Sequence, residues 1–114
     1  MTALLTLLLG FTLTIHAGDI GCPWASLDVR PKPKSQWVLS FAAPESVYCG
    51  LVEAKTSDAA RHKFLSGDCL ACDIGVDCEM VSYPADGTQL WVLAYRYGED
   101  AGSELKVNVE VNLK

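Results

Sequence analysis

Apolar and polar residues alternate without a break through residues 105–113, near the end of the chain. A period of two places the apolar side chains on one face of a β-strand and the polar side chains on the other. We therefore predict a strand with one buried face, and its exposed charges suit the edge of a sheet. The buried face would carry Leu105, Val107, Val109, Val111 and Leu113.

The same alternation recurs earlier in the chain. Residues 36–42 place Trp37, Leu39 and Phe41 on one face, and residues 46–54 predict a second strand after a turn at Pro44-Glu45. A short strand is expected within 24–29, before a proline-rich and basic connector at 30–34.

Two further apolar segments, 78–83 and 88–97, flank the dipeptide Asp86-Gly87. Asp-Gly supplies the positive φ that a tight turn needs, so these segments predict a β-hairpin. The second arm is apolar on both faces, which is typical of a central strand. The predicted core consists of Trp37, Leu39, Phe41, Val92, Leu93, Val107, Val109 and Val111.

One short helix is predicted over 56–67, because the segment opens on hydroxyl residues and an acid and closes on a glycine. Ala60 and Phe64 would face the sheet with Leu65 alongside, and residues 67–77 would form a loop. The helix is expected to cover the aromatic face of the second arm, although that face could instead be a platform for a glycan. The predicted fold is a single small α+β or mainly β domain, sandwich-like, with five to six mostly antiparallel strands and stabilised by disulfides.

Residues 3–15 carry no charge, and their apolar run has the length of a signal-peptide core rather than of a membrane span. We expect residues 1–17 to be a signal peptide cleaved after Ala17, leaving a secreted, extracellular domain of residues 18–114 with no membrane span. The alternatives are a buried N-terminal strand and a retained anchor.

All five cysteines lie in the expected mature domain. In an oxidising compartment they favour two disulfides and one odd thiol, which could be buried, capped or used to cross-link a dimer. A disulfide that closes a long loop stabilises the folded state more than one that closes a short loop. We therefore expect Cys22 and Cys49 each to pair with one of Cys69, Cys72 and Cys78.

A metal site and a redox site are the alternatives to this disulfide framework. His62 with Cys69, Cys72 and Cys78 could supply four zinc ligands, and the acidic segment 68–79 could gather oxygens around calcium, but neither matches a standard spacing. The Cys69–Cys72 spacing resembles a redox motif, yet the flanking acids would raise the pKa of the thiols. No metal and no cofactor are expected.

The expected mature domain has a single histidine and lacks common catalytic motifs, which favours a non-enzymatic binding protein. The net charge of −5 argues against nucleic acid as a partner. One alternative is a small secreted hydrolase using His62. Another is an extracellular structural or inhibitory module with a rigid exposed loop, at 30–34 or 84–87.

The short mature chain, its cysteines and its strand-rich pattern resemble the small secreted cysteine-rich effectors of plant-associated fungi. In outline the pattern is similar to the β-sandwich group called MAX effectors, with Cys22 and Cys78 at the places of that group's bridge. The resemblance implies a virulence-related protein that binds a host protein or cell-wall glycan.

Interfaces favour tyrosine and arginine, whereas aspartate and glutamate are depleted in their desolvated centres. We therefore place the expected binding surface on the end of the second hairpin arm and on the basic connector, away from the acidic segment. Its residues are Tyr95, Arg96, Tyr97, Arg30, Lys32 and Lys34.

Overall fold

A computed structural model describes residues 8–15, 22–96 and 104–113. The described residues form six β-strands and one α-helix in a small domain. In chain order these are β1 (Leu8–Ile15), β2 (Trp24–Ser26), β3 (Trp37–Glu53), α1 (Ser57–Leu65), β4 (Ala71–Ser82), β5 (Leu90–Tyr95) and β6 (Leu105–Leu113).

Every strand pair in the described part of the chain is antiparallel, and the order across the sheet is β1-β6-β3-β5-β2. The long strand β3 organises this sheet. Its first part, around Phe41, pairs with β6, and its second part, around Leu51, pairs with β5. β4 runs along the other side of both parts.

Strand β3 bends strongly, and the bend closes the sheet towards a barrel. Ser82 at the end of β4 pairs with Trp37, whereas Leu90 at the start of β5 pairs with Glu53. A straight strand of this length would separate its ends by roughly 53 Å, but residues 83–89 reach only about 25 Å. The ends of β3 must therefore approach each other, and the pairing with β4 is irregular between Ala42 and Val47.

The core lies inside this curved sheet and contains side chains from β1, β3, β5 and β6. All eight core residues predicted from the sequence are buried there or beneath the helix. The predicted fold class is confirmed, with mostly antiparallel strands, one helix and a disulfide.

Helix α1 packs on the outer face of the sheet, as predicted. Thr56 caps it by accepting a hydrogen bond from the Ala59 N–H, 3.1 Å away. Ala60 and Phe64 are fully buried, and the Phe64 ring stacks on Tyr48 with ring centres 4.3 Å apart. Leu65 is instead 53% exposed, so its expected place against the sheet was wrong.

Three strand predictions need correction. Pro44-Glu45 is no hairpin turn but part of the irregular middle of β3, whose two halves share β4 as a neighbour. Residues 71–77, expected in a loop, belong to β4. The predicted hairpin is absent because β3 lies between β4 and β5, although Gly87 does have a positive φ of 70°.

Strand β6 buries Leu105, Val107, Val109 and Val111 as its alternation predicted, but it lies inside the sheet rather than at an edge. Its second neighbour is β1. The sequence pattern did not predict this pairing, because residues 8–15 were expected to belong to a signal peptide.

Strand β1 falls within the expected signal peptide. It pairs with β6 over its full length, and its Leu13 and Ile15 side chains are buried in the core. This matches the alternative of a buried N-terminal strand. The expected cleavage position after Ala17 lies outside the described residues, so export of the chain stays a prediction. In the described segments no helix has the length and apolar character to cross a membrane.

The cysteine pairing differs from the expectation. Cys69 and Cys72 form a disulfide with Cα atoms 5.9 Å apart, and Cys22, Cys49 and Cys78 are free thiols. The turn from α1 into β4 brings the two sequence neighbours together. Cys49 lies in the core inside the sheet, on the opposite face from Cys69 and Cys72, so it cannot pair with either.

Candidate functional site

The basic connector and the turn after β4 lie together at one end of the domain. The Lys34 N–H donates to the Pro84 carbonyl, 2.9 Å away, and the Leu90 N–H donates to the Val29 carbonyl, 3.0 Å away. Gly87 lies beside the connector, since a Cβ added to it would be in van der Waals contact with the Pro31 carbonyl oxygen at 3.5 Å. These contacts hold the connector as a defined surface.

A buried carboxylate fixes the turn from the inside. Glu53 is only 4% exposed, and its two oxygens accept hydrogen bonds from the N–H groups of Ala85, Asp86 and Gly87 at 2.8, 3.3 and 2.8 Å. The Lys63 ammonium donates to the Glu53 carbonyl, 2.9 Å away. Both carboxylate oxygens are therefore engaged by hydrogen bonds from the turn.

Four basic side chains are exposed around this turn, in a protein whose net charge is −5. We call the surface formed by Arg30, Lys32, Lys34 and Lys55 the basic end. The first three were predicted as binding residues, and the structure brings them together with Lys55, which the sequence analysis missed.

A concave site lies within the basic end. It has a volume of about 320 Å³ and is here called the basic pocket, lined by Arg30, Lys55, Gly87, Thr88 and Gln89. The Thr88 hydroxyl oxygen is buried and has no hydrogen-bond partner among the described residues. The Gln89 side-chain N–H donates to the Ser26 hydroxyl. None of the five lining residues is acidic, so the pocket suits an anion.

A second depression of about 410 Å³ adjoins the basic pocket and shares Lys55 and Thr88 with it. We call it the trough. Its other lining residues are Ala54, Ala59, Lys63 and Asp86.

The remaining predicted binding residues lie elsewhere. Tyr95 is half-buried against the helix-side cluster, and the Arg96 side chain is 5% exposed, with its guanidinium 3.1 Å from the Glu45 carboxylate. Tyr97 lies outside the described residues. The five steps from Leu90 to Tyr95 place Tyr95 roughly 17 Å from the connector, because a strand rises about 3.3 Å per residue. Among the described residues, Tyr95 and Arg96 therefore lie apart from the connector rather than beside it.

The alternative catalytic residue, His62, is exposed on α1. In the described part of the chain its imidazole makes no salt bridge or hydrogen bond, and it lines none of the pockets described above. No geometry for base catalysis surrounds it there.

The proposed zinc ligands are not available as a set, because the sulfurs of Cys69 and Cys72 are joined to each other. Within the described ranges, no group of three or more histidine, cysteine, aspartate or glutamate side chains is arranged to hold a metal ion.

The free thiols are poor nucleophiles. Burial raises the pKa of Cys22 to about 11 and that of Cys49 to about 12, with Arg61 lowering the former only in part. Burial and the neighbouring Asp73 also raise the pKa of Cys78. These thiols stay protonated at neutral pH, and only the thiolate is an effective nucleophile.

The comparisons with known proteins concern the fold. No protein-family model matches the chain, and the search of curated proteins gave no match. Among solved structures, the chain is similar to one in the X-ray crystal structure of tomato aspermy virus. The TM-score is 0.50 with 12% identity, covering 93% of this chain and 76% of that chain. At this identity the similarity describes the arrangement of strands alone.

Proposed function

We propose that the protein is a secreted, non-enzymatic, effector-like binding protein that acts by surface binding to a host protein or glycan. The observation that carries the proposal is the basic end, where exposed Arg30, Lys32, Lys34 and Lys55 gather on an otherwise acidic domain. Such a local reversal of charge attracts and orients an anionic partner.

The rigidity of the basic end supports the same proposal. Its connector contains two prolines and is hydrogen-bonded to the turn that Glu53 holds. A surface already held in one conformation loses little entropy when it binds, which favours affinity.

Export would deliver this surface to an extracellular partner. We propose cleavage after Ala17, which would remove β1 and leave β6 at the edge of the sheet. The Cys69–Cys72 disulfide is compatible with an oxidising compartment. Intact mass and N-terminal sequencing of the protein from a secreting host test this step. A chain that still carries residues 1–17 outside the cell would refute cleavage.

The experiment on binding compares the secreted protein with a triple variant, Arg30→Gln, Lys32→Gln and Lys34→Gln. Affinity capture from the natural extracellular setting should yield a partner with the wild type and lose it with the triple variant. Lys106→Gln, a cation exposed on β6, is the matched control and should retain capture. Equal capture by all three proteins would exclude the basic end as the binding surface.

A second candidate function, an extracellular inhibitory module, is favoured by the held conformation of the exposed connector 30–34. Inhibitors of hydrolases present such rigid loops to the enzyme's cleft. Loss of a captured hydrolase's activity on adding the protein would distinguish inhibition from simple binding.

A further inference from the structure

We infer that the basic pocket and the trough together bind an acidic oligosaccharide, with the carboxylate or sulfate of one sugar in the basic pocket. The inference deepens the proposed function and rests on it, because it names the ligand class of the same basic end.

The basic pocket supplies the donors that an anionic group requires. The Arg30 guanidinium can donate two parallel hydrogen bonds to a carboxylate or sulfate, and the Lys55 ammonium adds a second positive charge. The Gly87, Thr88 and Gln89 segment forms the wall of the pocket between these two cations.

The Glu53 carboxylate does not line the basic pocket. It lies below the turn and accepts three backbone N–H groups, whose dipoles reduce the repulsion between its charge and a bound anion. The volume of about 320 Å³ exceeds the space one small inorganic anion needs and lies at the lower end of the range for organic ligands.

The trough indicates that the anionic group belongs to a sugar. Asp86 can accept hydrogen bonds from hydroxyl groups, and the methyl groups of Ala54 and Ala59 can contact the C–H face of a ring. Lys63 provides a further cation for the charge of a second acidic unit. A chain of acidic sugars offers hydroxyls, an apolar ring face and repeated anions together.

The test is calorimetric titration of the full, secreted protein with three hexasaccharides. The probes are an oligogalacturonate for carboxylates, a heparin-derived oligosaccharide for sulfates, and cellohexaose as the neutral control. We expect binding of at least one acidic probe, none of cellohexaose, and weakening with rising salt. The acidic oligosaccharide that binds shows whether the anionic group is a carboxylate or a sulfate.

Variants locate the site. Lys55→Gln and Arg30→Gln should each raise Kd roughly tenfold or more, because each removes a charge-assisted hydrogen bond. Lys106→Gln should change nothing. Thermal melts that match wild type establish that the variants are folded.

Three results would overturn the inference: no binding of either acidic probe, equal binding of cellohexaose, or an equal loss with Lys106→Gln. If a phosphopeptide binds in place of both acidic sugars, the ligand class is wrong. In each case, partner capture that still depends on Arg30, Lys32 and Lys34 would leave the proposed function standing. If partner capture does not depend on Arg30, Lys32 and Lys34, the proposed function is itself refuted.

Discussion

Replacing Glu53 with glutamine tests whether one buried carboxylate holds the turn that shapes the basic end. The carboxylate accepts the N–H groups of Ala85 and Asp86 on one oxygen and that of Gly87 on the other. Glutamine keeps one acceptor oxygen but places an NH₂ group where the second oxygen stood. The Gly87 N–H would then face another donor inside the protein.

The expected cost can be worked from these contacts. One charge-assisted hydrogen bond, worth about 1.5–3 kcal/mol, is lost, and the two that remain lose the benefit of the negative charge. We expect Glu53→Gln to destabilise the domain by about 2–4 kcal/mol, a large share of a typical total of about 5–15 kcal/mol. The melting temperature should fall by roughly 10–20 °C for a domain of this size.

Urea denaturation followed by circular dichroism measures this change. Glu110→Gln is the matched control, because Glu110 is exposed on β6 and should change stability by less than about 0.5 kcal/mol. A Glu53→Gln protein as stable as this control would refute the argument that the carboxylate fixes the turn.

Four further predictions concern the helix and the cysteines. Phe64→Ala should cost about 3–5 kcal/mol because Phe64 is fully buried, whereas Leu65→Ala, at an exposed position, should cost less than about 0.5 kcal/mol in the same denaturation assay. The raised pKa of Cys49 means that the unfolded chain loses its thiol proton first, so the contribution of Cys49 to stability should be constant below pH 9 and be lost between pH 9 and about 12. Urea titrations of wild type and Cys49→Ala across that range measure the difference. Native Cys49 should also resist alkylation at pH 8 until the protein unfolds, as intact mass will show. Replacing Cys69 and Cys72 by serine should cost at most about 2 kcal/mol, because the closed loop is short; a larger loss in the melt would contradict a purely local role.

The parts of the fold that local pattern predicted are those whose environment is uniform along the element. β6 has one buried and one exposed face, α1 has a cap and two inward residues, and β5 is covered on both faces. In each case the side-chain period matches the packing, so the sequence is sufficient.

The parts that failed depend on partners far along the chain. The second part of β4, from Cys78, was predicted as a strand, but residues 71–77 were expected in a loop because they contain Asp73, Gly75 and Asp77. Only their pairing with β3 makes them part of the strand. The Asp86-Gly87 turn was recognised, but nothing local shows that β3 separates its two arms. Only the bend of β3 brings Lys55 and Thr88 close to Arg30. The sequence therefore indicated the basic connector but not the pocket beside it.

The pairing of β1 with β6 has a consequence for the order of events during synthesis. Thr12 and Asn108, which are hydrogen-bonded across this pair, are 96 residues apart. At about 5–20 residues per second, the ribosome needs roughly 5–20 s to make the chain between them. Throughout that interval the apolar segment 8–15 has been made but its partner strand has not. The segment is therefore free of the sheet during this interval, and under the proposed export it would be available to the export machinery before β6 exists.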